Sequence, residues 1–139
     1  MPSLVHSYIQ AKLINILFDF KDYNIHSELT LTINGKDYTP DVVIYPKNDI
    51  SINFAKDVIK MTDMPKLAIE VLSPTQGVQE ILDKFEVYFE SGIKSCWLVQ
   101  PFPSIITVCQ SLTEKQVFST GDLMDKVLNI KFQMKKVFE

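Results

Sequence analysis

Apolar positions along the first part of the chain change period twice. Over residues 4–20, Val5, Ile9, Leu13, Ile16, Leu17 and Phe20 recur at helical spacing, and Ser3 stands ready as an N-cap. This predicts a first helix with one apolar face. ELTLTI (28–33) then alternates with period two and meets Asn34-Gly35, the pair that favours a tight hairpin turn. The returning strand is predicted over YTPDVVIY (38–45). Residues 46–65, bracketed by Pro46, Asn48, Asp49 and Pro65, read as a loop with a short helix around 53–60.

Beyond Pro65 the pattern is denser. KLAIEVLS (66–73) is apolar on both faces apart from one glutamate, the mark of a strand covered from two sides. Over 78–91, Val78, Ile81, Leu82, Phe85, Tyr88 and Phe89 line one face of a second helix, with Gly92 as its stop. SCWLVQ (95–100) and IITVCQ (105–110) read as strands around the turn PFPS, and the tail, with Leu128, Ile130, Phe132, Val137 and Phe138, as a strand and a closing turn. The predicted order is helix, three strands, helix, strand, strand. A helix between the third and fourth strands implies a crossover, and with it a mixed sheet flanked by helices in one α/β domain over residues 1–139.

Composition refines this picture. With 139 residues, 46% apolar and 22% charged, the chain can bury a core and is not of the disordered type. No apolar stretch approaches the roughly 18 residues needed to span a bilayer, and MPSLVHSYIQAKL lacks the basic-then-apolar order of a signal peptide. Cys96 and Cys109 lie in apolar runs without metal-ligand spacing and read as buried, reduced thiols, which fits a cytoplasmic location. Net charge is −3, and all 14 basic residues are lysine. Without arginine, the usual bidentate reader of guanine, sequence-specific DNA recognition by this chain alone is not expected; a local patch, a dimer or a partner would have to supply it.

Two carboxylates stand out against these patterns. Glu70 is surrounded by Leu67, Ala68, Ile69, Val71 and Leu72, and an unpaired charge in such a place costs several kcal/mol. It must be paired, protonated or bound to a cation. Asp41 raises the same question, because Val42, Val43 and Ile44 follow it directly. Carboxylates converging from two central strands make a hard-oxygen site suited to Mg²⁺ or Mn²⁺. The plain alternative is that Asp41 caps a turn and Glu70 pairs with a lysine. Lys84, fourteen residues after Glu70, flanks the apolar stripe of the second helix. It either reaches over the strand ends, where an ammonium can stabilise developing phosphoryl charge, or snorkels to solvent.

The set HxxIxxxL (6–13), PDVVIY (40–45), AIEVLSP (68–74), the lysine at 84 and WLVQP (97–101), closed by LNIKFQMKKVF, resembles the Uma-two family of restriction endonucleases within the PD-(D/E)XK nuclease superfamily. The resemblance implies a restriction-endonuclease-like fold, a Mg²⁺ cofactor with Mn²⁺ as substitute, and hydrolysis of phosphodiester bonds. By position it implies Asp41 and Glu70 as metal ligands with the Val71 carbonyl as a further oxygen, Lys84 as the catalytic lysine, and Glu28 as an additional acidic residue. The superfamily's lysine usually lies two residues beyond the acid, where this chain has Leu72; Lys84 fits the variant with the lysine on the following helix. Gln100 stands where aspartate is common in WLVDP, and Glu80 where aspartate is more usual.

The expected function is therefore a metal-dependent endonuclease acting on nucleic acid, DNA before RNA, without a membrane partner and assembled as a homodimer. A nuclease-fold module that binds nucleic acid or protein without turnover is the alternative, since fold does not fix function. A small-molecule hydrolase is the third reading; it lacks support, because Ser73 precedes a proline and His6 and His26 both fall early in the chain.

Overall fold

The computed structural model describes residues 2–139. Its spine is a six-stranded sheet in the order β1-β4-β5-β6-β7-β8, formed by β1 (Tyr23–Ser27), β4 (Val42–Pro46), β5 (Leu67–Val71), β6 (Ser95–Gln100), β7 (Ile105–Cys109) and β8 (Lys115–Phe118). All neighbours are antiparallel except β5 and β6, which run parallel because helix α2 (Val78–Glu90) crosses over between them. The expected mixed sheet and its crossover are present.

Alternation sorts the sheet's residues onto two faces. Val42, Ile44, Leu67, Ile69 and Trp97 meet helix α1 (Leu4–Leu17) and the hairpin β9–β10 (Asp122–Asp125, Ile130–Gln133). Val43, Tyr45, Ala68, Cys96 and Leu98 meet α2 and the hairpin β2–β3 (Leu31–Ile33, Lys36–Tyr38). Both faces of β4 and β5 are therefore covered, which is why these strands carry continuous apolar runs.

Both helices begin where their sequences predict, and α2 stops ahead of Gly92 as expected, whereas α1 ends at Leu17, three residues short of Phe20. The Ser3 hydroxyl accepts from the His6 N–H to cap α1, and Gly92 follows α2 at a φ of 105°. At the hairpin, Asn34 and Gly35 both have positive φ, as a tight turn requires.

Other expectations need correction. The strand predicted over 38–45 is two strands. β3 ends at Tyr38 and pairs with β2, and β4 starts at Val42 in the main sheet. Thr39, Pro40 and Asp41 separate them, and Pro40 has no N–H to give to a ladder. The expected helix around 53–60 is absent; Asn53 accepts from the Ala55 N–H and Asp57 from the Val58 N–H, local bonds that compete with a helical ladder. The strands β1, β8 and β9 were not predicted. β1 and β8 are sheet edges, and their residues are half-buried or exposed rather than cleanly alternating. The first helix also presents a different face: Val5 is exposed, while His6 and Gln10 are buried beside Ile9, Leu13, Ile16 and Leu17.

Candidate active site

β4 and β5 bring the two carboxylates together. Val42 pairs with Ile69, and carrying this antiparallel register on by one residue sets Asp41 opposite Glu70. On the other side Ser27 pairs with Val42, so Glu28 comes opposite Asp41, and the Glu28 N–H donates to the Asp41 carbonyl at 3.0 Å. Glu28, Asp41 and Glu70 thus form a row across one end of three adjacent strands. Glu28 lies just past β1, not at the start of β2. It is exposed, and its φ of 50° turns it out of the strand.

Glu70 is 4% exposed and points to the α2 face, where its Oε2 accepts the Tyr88 hydroxyl at 2.7 Å. Burial pushes its carboxyl up to about 7, with the Asp41 charge adding to the rise; the Lys84 charge and the Tyr88 hydrogen bond act against it. Asp41 keeps 15% of its side chain exposed and uses Oδ2 to accept from the Val71 N–H at 2.7 Å. The same oxygen lies 3.1 Å from His6 Nε2. Burial raises the Asp41 carboxyl as well, and Glu28 adds to the rise, whereas the Val71 N–H and His6 lower it.

Lys84 lies half-buried on α2, one turn before Tyr88 on the face that meets the sheet. Its charge reaches Glu70, yet among the described residues it makes no direct ion pair. The plain alternative for Glu70, neutralisation by a contacting lysine, is therefore not what the structure shows. Val71 closes β5 beside Glu70, with its N–H committed to Asp41.

Sequence reasoning missed three participants. His6 and Gln10 come from α1; Gln10 Nε2 donates to the Asp41 carbonyl at 3.2 Å and lies 3.5 Å from Glu28 Oε2. Tyr88 had been read only as part of an apolar stripe. The available signal was position: His6 and Gln10 share the 6, 9, 10, 13, 16, 17 spacing of the buried stripe, where polar side chains need partners.

The donor set can be matched to a divalent cation only through its carboxylates. Among the described residues no three His, Cys, Asp or Glu side chains already stand as a metal cluster. Two hard carboxylates whose proton affinity is raised by burial and by a neighbouring acid, Glu28 for Asp41 and Asp41 for Glu70, nevertheless suit a cation that takes its other ligands from water and substrate, as Mg²⁺ commonly does. Among the described residues Asp41 Oδ1 and Glu70 Oε1 accept no hydrogen bond, and neither is a sealed, unpartnered atom, so both retain solvent contact. The residues fit the group.

The sequence signature of the Uma2 family, described as "Putative restriction endonuclease", matches residues 1–134. The chain belongs to the Uma2 family. It is also similar to a crystal structure described as a putative nuclease belonging to DUF820 from Anabaena variabilis ATCC 29413, at a TM-score of 0.82 and 21% identity. That match covers 99% of this chain and 82% of the other. At such identity it establishes a shared fold, the restriction-endonuclease-like sheet expected for an Uma2 protein. No curated protein matches the chain. Among the described residues no helix is long and apolar enough to cross a membrane.

Proposed function

We propose that this Uma2 protein is an endonuclease that hydrolyses phosphodiester bonds of nucleic acid, DNA in the first instance, at the site built by Asp41, Glu70 and Lys84. The observation that carries the proposal is the pair of opposed carboxylates, Glu70 buried and Asp41 partly buried, each with a free, solvent-reached oxygen and with a lysine charge near Glu70. Asp41 and Glu70 would hold Mg²⁺ or Mn²⁺, with the Val71 carbonyl as a further oxygen donor. When bound, such a cation polarises a phosphoryl oxygen and raises the acidity of water.

The chain's own residues do the rest. The Lys84 ammonium, held on α2 beside the strand ends, stabilises the negative charge that grows on the phosphoryl oxygens in the transition state. Glu28, exposed at the rim of the row, is placed to accept a proton or to hold a second cation through water. Gln10 fixes the backbone at Asp41 by its hydrogen bond to that carbonyl.

The net charge of −3 and the absence of arginine favour, as the second reading, a module that binds without turnover.

One experiment separates the two. Melting curves with and without Mn²⁺, read beside single-turnover cleavage of labelled oligonucleotides, should show a cation-dependent rise in Tm and cleavage for wild type. At a cation concentration about 100-fold above Kd the stabilisation is about 2.7 kcal/mol. Asp41→Asn and Glu70→Gln should each lose both effects while remaining folded. A wild-type protein indifferent to millimolar Mg²⁺ and Mn²⁺ would remove the cation site. One that binds cation but cleaves nothing would favour the module.

A further inference from the structure

Asp41 and Glu70 are tethered in the same way from opposite sides of the sheet. Each commits one carboxylate oxygen to protein donors and leaves the other free. Asp41 Oδ2 receives the Val71 N–H at 2.7 Å and faces His6 Nε2 at 3.1 Å. Glu70 Oε2 receives the Tyr88 hydroxyl at 2.7 Å. His6 belongs to α1 and Tyr88 to α2, so each of the two helices that pack on the sheet supplies one tether.

Neither tether is cheap in its location. His6 is 6% exposed within an apolar stripe, and its Nδ1 is sealed from solvent without a partner. Nε2 faces a carboxylate oxygen and is the ring nitrogen positioned to donate to it. A leucine at this helical position would bury apolar area with no orphaned atom, so packing alone does not call for a histidine. Tyr88 is fully buried, packed edge-on against Tyr38 and beside Phe85, and its hydroxyl meets no acceptor other than Glu70. A phenylalanine would satisfy the same ring contacts. In both cases the polar atom is explained by the carboxylate it holds.

We propose that His6 and Tyr88 are positioning residues that each hold one oxygen of its carboxylate, so that Asp41 Oδ1 and Glu70 Oε1 are the two atoms presented to the cation. This rests on the cation-binding reading above and adds to it a definite pair of ligand atoms and the groups that orient them. Hydrogen-bond partners of metal ligands typically change affinity by about 10- to 100-fold when removed. The orientation also accounts for a row of acids in which no three side chains close into a cluster. Two atoms are aimed, and the remaining coordination is left to water and substrate.

The test is calorimetric titration of Mn²⁺ into wild type, His6→Ala, His6→Gln and Tyr88→Phe, with the cation-free Tm of each recorded beside it. His6→Ala and Tyr88→Phe should bind Mn²⁺ about 10- to 100-fold more weakly. His6→Gln, whose amide N–H can replace Nε2–H, should recover part of the loss. A purely structural role would lower the cation-free Tm and leave Mn²⁺ affinity unchanged. If wild type binds Mn²⁺ and His6→Ala and Tyr88→Phe bind it equally well, the positioning role is overturned and the cation site stands. An equal loss in His6→Ala and His6→Gln overturns the hydrogen-bond role of His6. If wild type binds no Mn²⁺, the cation reading falls and this inference with it. Tyr88→Phe preserves volume and ring packing, so the question stays decidable even if His6→Ala does not fold.

Discussion

Among the described residues Asp125 and Glu70 are buried acids, and their surroundings treat a carboxylate in opposite ways. Asp125, fully buried at the end of β9, has both oxygens used: Oδ2 accepts the Trp97 indole N–H at 2.9 Å and Oδ1 the Leu128 N–H at 3.2 Å. Asp41 and Glu70 each have one oxygen used and one open, and each has its proton affinity raised by a neighbouring acid. A buried acid is therefore not by itself a sign of chemistry. Asp125 clamps the β9–β10 hairpin to β6 and leaves neither of its oxygens without a donor. The row at the strand ends has capacity left over and charge unbalanced, and such unspent groups need an explanation outside the fold.

The comparison is broken most directly at Asp125. Asp125→Ala strands the Trp97 indole N–H and the Leu128 N–H in the core, and removing one partner of a buried charged network costs on the order of 3 kcal/mol or more. Urea unfolding should show that loss, while Mn²⁺ affinity per folded molecule stays at the wild-type level. A loss below about 1 kcal/mol joined to weakened cation binding would mean that the two regions are not distinct.

The next effect sharpens the other side. Lys84→Met removes a charge felt by Glu70, and if that charge acts in the transition state, single-turnover cleavage should fall on the order of 10²-fold with cation affinity nearly unchanged. Lys94, exposed beyond Gly92, is the matched loss of a lysine charge away from the site. Lys94→Met should cleave like wild type and change stability by no more than about 0.5 kcal/mol. Equal cleavage by wild type and both variants would remove Lys84 from the mechanism.

The same contrast explains what could be read in the sequence. Glu70 was legible because every neighbour in LAIEV is apolar, and β5 is in fact covered on both faces. Asp41 was legible from PDVVIY for the same reason, and its pairing with Glu70 follows from the β4–β5 register. Asp125 was not, since LMDKVL carries a charge on its other side and no local pattern predicts that Trp97, 28 residues earlier in the chain, will donate to it. His6 and Gln10 were passed over because a helical stripe is found by its apolar members, and Val5 matched the period as well as His6 did. Which of the two turns inward depends on Asp41, 35 residues away from His6. Edge strands β1 and β8 escaped because they pair on one side only, which leaves a strand under little pressure to alternate. Local periodicity reports local burial; the partners that satisfy a buried charge are set by long-range contacts.

The smallest effect is the one that most finely separates the two kinds of buried acid, and it concerns pH in the absence of cation. The Glu70 carboxyl stands at about 7 in the folded chain against an ordinary value of 4.5. Below 4.5 both states hold the proton, so Glu70 contributes no pH dependence there. Between 4.5 and 7 the unfolded chain releases the proton while the folded chain keeps it, so folded stability falls as pH rises through this window and levels off above it. A shift of this size sets an upper bound on the order of 3 kcal/mol for that fall. Glu70→Gln removes the titrating group. Its extra amide hydrogens need partners in a buried place, which offsets part of the gain. The net expectation is a variant about 1 kcal/mol more stable than wild type at pH 8 without cation, and flatter between pH 5 and 7. Added Mn²⁺ should close the gap by stabilising wild type alone. Asp125→Asn offers the opposite case, since it replaces one of two oxygens that each accept an N–H with an amide nitrogen that cannot accept, and it should be less stable at pH 8. Stability curves from urea titrations at pH 5, 6, 7 and 8 would show both trends. If Glu70→Gln were less stable than wild type at every pH with an unchanged profile, Glu70 would be a satisfied structural acid like Asp125, and the contrast between the two regions would be lost.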